Sequence, residues 1–237
     1  MTVLVLFDID GTLLLANGSG RRSVHQAMHD VFGASGPESH PFDGKTDPQI
    51  IRELGTLAGM TDDVITERMT AALDRYFSYL EADITAAPDT VQLLPGVHAL
   101  LDALEARGDV MLGLLTGNIR KGALLKLRSV HVAPERFLVG AYGCDAPARP
   151  DLPAIAQTRA SAHLGADLPG ARIVIIGDTP HDLTCGNGIG ALAIGVETGR
   201  YRSRDLQPHN PLAVFANLVD TDAVVAAITS VAAERAA

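Results

Sequence analysis

The stretch LVLFDIDGTLLLANG, residues 4–18, places two aspartates directly after an apolar run. The apolar residues that begin at Val3 predict a buried strand over residues 3–7. Asp8 and Asp10 follow this strand, and the Gly-Thr pair after them predicts a tight turn. Two negative charges at the end of the most strand-like segment need a chemical reason, because acidic residues are rarely placed against a core without a partner.

Three further β-rich runs lie at residues 110–115, 172–177 and 191–196, and segments of helical length separate them. Strands that alternate with helices predict an α/β fold built on a doubly wound parallel sheet. The segment 94–109 shows the helical pattern, with apolar residues at helical spacing, Pro95 and Gly96 at its start and Gly108 at its end. Residues 152–166 and 222–237 show the same pattern.

Residues 16–90 interrupt this alternation. They contain three helical patterns, over 21–33, 47–59 and 62–83, and no convincing strand. Segments rich in Gly, Ser, Pro and Asp flank them, as is typical of hinges. We therefore expect residues 1–15 and 91–237 to form the α/β core, and residues 16–90 to form a helical cap domain inserted into it.

Composition excludes several classes of function. The net charge of −9, only three lysines and the lack of tryptophan argue against nucleic-acid binding. No apolar run approaches the roughly 18 residues of a membrane helix, so we expect no membrane partner and a cytoplasmic location. Cys144 and Cys185 lack metal-ligand spacing and are expected to be buried thiols.

Polar residues follow three of the predicted strands. Asp8 and Asp10 follow the first, Thr116 the second, and Asp178 the third, with Asp182 four residues further on. In an open parallel sheet, ligands bind beyond the carboxyl ends of the strands, so these side chains should converge. Like charges at close range cannot all ionise cheaply, and a divalent cation resolves this. A small number of hard oxygen ligands favours Mg²⁺.

Four ordered motifs carry a family resemblance: DIDGTLL (8–14), LLTGN (114–118), RPDLPAIAQTRASAHLG (149–165) and IIGDTPHD (175–182). They resemble the motifs of the haloacid dehalogenase (HAD) superfamily, in its phosphoglycolate-phosphatase-like branch. The resemblance covers the whole chain, including a helical cap after the first motif. It implies a Rossmann-like core and a Mg²⁺-dependent phosphatase that hydrolyses a small phosphorylated metabolite through an aspartyl phosphate.

The resemblance also implies roles for the acidic residues. Asp8 would attack phosphorus, and Asp10 would protonate the leaving oxygen and later deprotonate water. The metal would be held by Asp8, by the backbone carbonyl of Asp10 and by Asp178. Asp182 would orient a metal-bound water or a basic group.

The remaining motifs would bind the phosphoryl group. Thr116 would donate its hydroxyl to a phosphoryl oxygen, with backbone N–H groups of Gly117 and Asn118. The family usually places a lysine where this chain has Arg149, and arginine can hold phosphate bidentately. Lys121, one helical turn after Thr116, is the fallback for this cation.

In the cap, the segment FDGKTDPQI (42–50) resembles the part that faces the substrate in related phosphatases. Gly44 and Lys45 would meet the non-phosphoryl end of the substrate. The alternative is an ordinary helix start, with Asp47 as the N-cap and Pro48 in the first helical position.

Other functions stay open at this point. A phosphosugar mutase resembling β-phosphoglucomutase would share the nucleophile, the acid-base aspartate and the cap. A non-catalytic binding protein of the same fold is the alternative from a different class. A true haloacid dehalogenase is less well supported, because Asp10 would have no task there. The sequence does not choose between a monomer and a homodimer.

Overall fold

The structure is a computed structural model, and it describes residues 2–233. The strands within this range are β1 (Val3–Phe7), β2 (Leu14–Leu15), β3 (Gln92–Leu93), β4 (Val110–Thr116), β5 (Val139–Tyr142), β6 (Ile173–Gly177), β7 (Leu192–Val196) and β8 (Ala213–Phe215). The α-helices are α1 (Ser19–Phe32), α2 (Asp47–Leu57), α3 (Asp62–Ala86), α4 (Val97–Glu105), α5 (Arg120–Ser129), α6 (Leu152–Leu164), α7 (Pro180–Cys185), α8 (Ser203–Leu206) and α9 (Thr221–Ala233).

Six strands form one sheet in the order β5-β4-β1-β6-β7-β8, and every neighbouring pair is parallel. This confirms the predicted α/β fold with a doubly wound parallel sheet. The four predicted strands are β1, β4, β6 and β7, within one residue at each end. The sequence patterns did not predict β5 and β8, the two edge strands, or the short antiparallel pair β2-β3.

The central strand β1 is buried along its whole length because helices cover both faces of the sheet. Val5 and Phe7 belong to a buried cluster that includes residues of α4, α5 and α9. Leu4 and Leu6, which point to the opposite face, pack in a second cluster with α6. This two-sided packing explains the uninterrupted apolar run at the start of the sequence.

The predicted helices between residues 16 and 90 are observed as α1, α2 and α3, which we call the helical insert (residues 19–86). The short pair β2-β3 lies at its two connections to the sheet, and α3 contacts α5. The domain boundaries at 15/16 and 90/91 stay a prediction. Even the longest helix, α3, lacks the apolar span needed to cross a membrane, and this holds for every helix of residues 2–233.

The two cysteines and the C-terminal helix were also predicted from the sequence. Cys185 is buried as expected, but Cys144 is exposed, because it lies in the turn after β5 rather than on the sheet. The C-terminal helix begins at Thr221 as the pattern indicated, while its predicted final residues, 234–237, lie outside the described residues.

Candidate active site

Three buried carboxylates meet at the carboxyl edge of the sheet. Asp8 directly follows β1, and its backbone N–H donates to the carbonyl of Ile176 in β6 over 3.0 Å. Asp178 directly follows β6, and Asp182 lies in the first turn of α7. One oxygen from each of the three carboxylates lies within 4.8 Å of the others. The parallel pairing of β1 with β6 therefore brings together two of the acidic residues predicted to form the site.

Arg149 is the cation of this cluster. Its side chain is 4% exposed, and its Nη2 donates to Oδ1 of Asp8 over 3.0 Å and to Asp182. Asp182 has a second task, because its Oδ2 accepts from the backbone N–H and the hydroxyl of Thr179, over 2.9 and 2.7 Å. Thr179 and Asp182 thereby form the capping box at the start of α7. Asp182 thus contacts a basic group, and its role in orienting that group stays a prediction.

The same edge does not include Lys121. Its ammonium is exposed on α5 and pairs with Asp74 of the helical insert over 2.9 Å. Between the two cations considered from sequence, the geometry places Arg149, and not Lys121, on the carboxylate of Asp8.

Burial dominates the protonation of the cluster. It raises the pKa of Asp8 to about 7, although the Arg149 guanidinium opposes the shift. Burial, together with the charges of Asp182 and Asp8, also raises the pKa of Asp178 well above its usual range. Desolvation is therefore the main reason for both shifts, and the repulsion among the three carboxylates, which one guanidinium only partly offsets, adds to it.

A divalent cation fits this cluster. The donors are carboxylate oxygens, and Asp182 is already committed to Arg149 and Thr179, which leaves Asp8 and Asp178 as side-chain ligands. Two glycines make room for the Asp178 carboxylate. A Cβ on Gly11, whose φ is +86°, would lie 2.5 Å from its Cγ, and a Cβ on Gly199 would lie 1.7 Å from its Oδ2. The site therefore has the oxygen donors and the negative charge that a metal ion requires, and the two glycines let the Asp178 carboxylate lie there.

Asp10 faces away from the cluster and lies in a second group of polar side chains. Lys126 donates to both of its carboxylate oxygens, over 2.9 and 2.7 Å, and Asn118 Nδ2 donates to Oδ2 over 2.7 Å. Lys126 also donates to Asn118 Oδ1 over 2.7 Å, which closes a triangle. The two aspartates of the first motif thus have separate partners, Asp8 with Arg149 and Asp10 with Lys126.

Lys126 was not predicted as a site residue, although its helical spacing from Ile119 marks it as one that points inward. Ile119, Gly122, Ala123 and Lys126 follow the i, i+3, i+4, i+7 spacing, and all four are buried in the structure. A lysine on the inward face of a helix that begins at the carboxyl edge is a functional candidate, whereas Lys121 lies on the outward face.

The predicted phosphoryl-binding residues lie beside this triangle. Thr116 ends β4, and its Oγ1 accepts from Asn118 Nδ2 over 2.8 Å and from the Asn118 backbone N–H over 3.3 Å. The N-cap of α5 is Ile119, so Thr116 does not cap this helix. Thr116, Gly117 and Asn118 all line the same cavity as Asp8, as the motif predicted.

The segment 44–47 of the helical insert lies directly on this loop. A Cβ on Gly117 would lie 2.0 Å from the carbonyl oxygen of Lys45, so only glycine permits the approach. Lys45 pairs with Glu53 over 2.5 Å, and both Gly44 and Lys45 line the cavity. The segment does start a helix, but both residues of the helix-start alternative are misplaced by one position. The N-cap of α2 is Thr46, which accepts from the backbone N–H of Gln49, so Asp47 is the first helical residue and Pro48 the second.

Asp47 instead links the insert to the core. Its Oδ2 accepts from the backbone N–H of Ile119 over 2.7 Å, its own N–H donates to the Gly117 carbonyl over 2.8 Å, and Tyr76 bonds its carboxylate. The Asp47 side chain therefore serves the start of α5, on the other side of the cavity, rather than the start of its own helix.

This buried link predicts a pH-dependent stability. Burial raises the pKa of Asp47 to about 6, partly offset by Lys126. A carboxyl whose pKa is raised in the folded protein stabilises the folded state at low pH and loses this contribution as pH rises through the raised pKa. Asp47→Ala should therefore lower the free energy of unfolding more at low pH than at neutral pH. We expect it to lower the free energy of unfolding by about 2 kcal/mol more at pH 4 than at pH 7. Urea unfolding at both pH values measures this.

Asp63→Ala is the matched control, since Asp63 is an exposed aspartate at the start of a neighbouring helix of the insert. Its effect on the free energy of unfolding should be small, because an exposed side chain makes few contacts. A pH-independent cost for Asp47→Ala would show that its buried carboxyl has no raised pKa.

The cavity has a volume of about 470 Å³ and lies between the sheet edge and the helical insert. Its core wall carries Asp8, Asp10, Thr116, Arg149 and Asp178. The insert contributes apolar, cationic and acidic residues, namely Val24, Phe42, Ile50, Tyr76, Arg21, Lys45, Asp43 and Asp47. Phe42 and Tyr76 also pack with the buried hydrophobic cluster, so both serve the interior of the insert and the cavity wall.

The model of one family, described as haloacid dehalogenase-like hydrolase, matches residues 5–187. This range holds the four motifs and every predicted site residue. The chain belongs to the haloacid dehalogenase-like hydrolase family. The resemblance predicted from the motifs is thereby confirmed, as is the prediction of an enzyme at the level of a hydrolase of this family.

Individual relatives agree with this assignment. The protein named Probable phosphatase IndB of Dickeya dadantii is 28% identical over 218 residues, which are 89% of this chain and 88% of that protein. A structure described as a predicted phosphoglycolate phosphatase from Haemophilus somnus has a TM-score of 0.70 at 20% identity, covering 94% of this chain and 98% of that one. A candidate β-phosphoglucomutase from Bacteroides vulgatus has a TM-score of 0.68 at 20% identity, covering 97% and 90%. At such identities these two structures show the fold alone.

Proposed function

We propose that this haloacid dehalogenase-like hydrolase is a Mg²⁺-dependent phosphatase that acts on a small phosphomonoester through an aspartyl phosphate on Asp8. The observation that carries the proposal is the placement of Asp8, whose buried carboxylate is fixed by Arg149 at the wall of a cavity that Asp178 and Thr116 share. The name of the Dickeya relative, Probable phosphatase IndB, supports the same class of reaction.

In the first half of the reaction, an Asp8 oxygen forms a bond to phosphorus while the bond from phosphorus to the ester oxygen breaks. Asp10 gives its proton to the departing oxygen. Thr116 and the N–H groups of Gly117 and Asn118 hold the phosphoryl oxygens. The fixed guanidinium of Arg149 keeps the Asp8 carboxylate oriented for attack.

In the second half, water attacks the aspartyl phosphate, and Asp10 takes the proton of that water. The bond from phosphorus to Asp8 breaks, so phosphate leaves and Asp8 is regenerated. A divalent cation held by Asp8, Asp178 and the Asp10 carbonyl would neutralise part of the negative charge on the phosphoryl group. The carboxylate and carbonyl oxygens favour Mg²⁺ for this place.

The size and charge of the cavity support a small anionic substrate. Its volume of about 470 Å³ suits a metabolite rather than a macromolecule. Beyond the predicted phosphoryl site, the wall carries Arg21 and Lys45 of the insert and Arg200 of the core. Arg21 is held in place by the carbonyls of Glu38 and His40, so its charge is oriented before a substrate binds. Lys45 and Arg200 are paired with Glu53 and Asp43, so Arg21 is the cation of this wall that best suits the second anionic group of a phosphoglycolate-like ester.

The first experiment measures phosphate release from a panel of small esters, including phosphoglycolate and hexose phosphates, with Mg²⁺ and with excess EDTA. We expect release with Mg²⁺ that EDTA abolishes, because the buried carboxylates need the cation to accept a phosphoryl dianion. Asp178→Asn should require a higher Mg²⁺ concentration for half-maximal release. Asp63→Asn, at an exposed position, is the control.

Isomerisation of a hexose phosphate without net phosphate release would identify a mutase instead. The likeness to the candidate β-phosphoglucomutase is one of fold, so we keep the mutase only as an outcome of this experiment. A folded protein that releases no phosphate from any ester would favour the non-catalytic binding protein. Release that EDTA does not change would contradict the metal dependence.

A further inference from the structure

Lys126 is a buried cation on the cavity wall that the reaction described above does not use. It lies on the inward face of α5, and its side chain is 4% exposed. Lysines are almost never buried to this degree without a partner, because desolvation of the ammonium is costly. Lys126 must therefore obtain compensating interactions at this position.

All three donors of the ammonium group are engaged. They go to Oδ1 and Oδ2 of Asp10 and to Oδ1 of Asn118, over 2.9, 2.7 and 2.7 Å. An ammonium whose donors are all used has none left for a substrate. Lys126 thus acts on the cavity through Asp10 and Asn118 and does not bind a ligand itself.

Asn118 completes the restraint on Asp10. With its Oδ1 on Lys126, its Nδ2 points to Asp10 Oδ2 and to Thr116 Oγ1. The Asp10 carboxylate, which is 39% exposed towards the cavity, therefore takes three hydrogen bonds from two fixed groups. Free rotation of the carboxylate would break at least one of them.

Other charged and polar groups lie near Lys126. The charge of Lys126 lowers the pKa of Asp47, which burial raises, and the Tyr76 hydroxyl of α3 lies in the same region. Asp47, however, takes its hydrogen bonds from Ile119 and Tyr76, whereas the bonds of Lys126 go to Asp10. The direct partner of the buried ammonium is the side chain to which the proton transfers are assigned.

We propose that Lys126 is a positioning residue, which together with Asn118 holds the Asp10 carboxyl in the orientation for proton exchange with the leaving oxygen and with water. This inference rests on the proposed function, and it adds a residue outside the four motifs to the catalytic arrangement.

The test compares wild type, Lys126→Met, Asp10→Asn and the double variant on two substrates. One is an alkyl phosphate, whose leaving oxygen needs a proton, and the other is p-nitrophenyl phosphate, whose leaving group departs without one. We expect Lys126→Met to lower kcat/KM by about 10- to 100-fold on the alkyl ester and much less on the aryl ester. In the Asp10→Asn background, Lys126→Met should cause no further loss.

Arg128→Met is the matched control, because Arg128 lies on the same helix, is 61% exposed and pairs only loosely with Glu135. It should leave kcat/KM unchanged on both esters. If Lys126→Met does not fold, Lys126→Gln, which keeps a donor group but no charge, takes its place. Equal losses on both esters, or a full further loss in the Asp10→Asn background, would overturn the inference.

A structural readout separates this inference from the proposed function. In crystals of Lys126→Met, the Asp10 carboxylate should leave its position beside Asn118, and an unchanged Asp10 would overturn the positioning role even if no ester is hydrolysed. Phosphate release by the wild type tests the proposed function by itself.

Discussion

Replacing Asp8 with asparagine is expected to abolish phosphate release, with a loss of about 10⁴-fold or more in kcat. The amide cannot form the bond to phosphorus that the proposed intermediate requires. Phosphate release under saturating Mg²⁺, followed with the best ester of the panel, measures the loss.

The fold should survive this change. Asparagine has nearly the shape of aspartate, and its Oδ1 can still accept the hydrogen bond that Arg149 donates to Asp8. The change also removes a buried carboxylate whose pKa burial raises to about 7. The temperature of unfolding without metal should therefore be equal to that of the wild type or higher.

Asp63→Asn is the matched control, an identical chemical change at an exposed aspartate. It should keep full activity and stability. Activity above about 1% of the wild type in Asp8→Asn would remove Asp8 from the nucleophile role, because a true nucleophile leaves far less behind.

The strands that could be predicted are those whose own sequence shows the apolar pattern of a buried strand. A central parallel strand is buried on both faces, so β1 and β6 are uninterrupted apolar runs and could be located by composition alone. The edge strands β5 and β8 are only four and three residues long, and their sequences, VGAY and AVF, are too short to carry such a signal, although β5 is buried throughout. These segments form strands because they pair with β4 and β7 in the folded sheet, and not because of a pattern in their own sequence.

The same distinction applies to the site. The acidic residues at strand ends could be predicted, because the end of a strand and the polar residue after it are adjacent in sequence. The bonds of Lys126 to Asp10 and of Asp47 to Ile119 join residues 116 and 72 positions apart. Only the packing of α5 and of the insert against the sheet creates these contacts, so no local pattern reports them.

The second large effect is expected at Arg149. Arg149→Met would leave Asp182, which is fully buried, and Asp8 without their cation. Breaking a buried ion pair on one side costs about 3–5 kcal/mol, because an uncompensated charge stays behind. We expect this loss in the free energy of unfolding, measured by urea unfolding with excess EDTA, together with loss of phosphate release.

Arg159→Met is the control for a lost guanidinium. Arg159 pairs with Asp145, but its side chain is 43% exposed, so its loss should cost less than about 1 kcal/mol. Arg149→Lys tests whether charge alone suffices. The hydrogen bonds of Arg149 to Asp8, Asp182 and the Leu115 carbonyl all come from Nη2, at the far end of its side chain. A lysine ammonium on a shorter stem would not reach the same place, so we expect a roughly 10- to 100-fold lower activity in a folded protein.

A double variant separates the structural role of Arg149 from its role at Asp8. Adding Asp182→Asn to Arg149→Met removes the buried charge that the first change left unpaired, so part of the lost stability should return. Phosphate release should not return, because the Asp8 carboxylate still lacks the group that orients it. If both return together, Arg149 serves only as the counter-charge of Asp182, and the fixed orientation of Asp8 must come from another group.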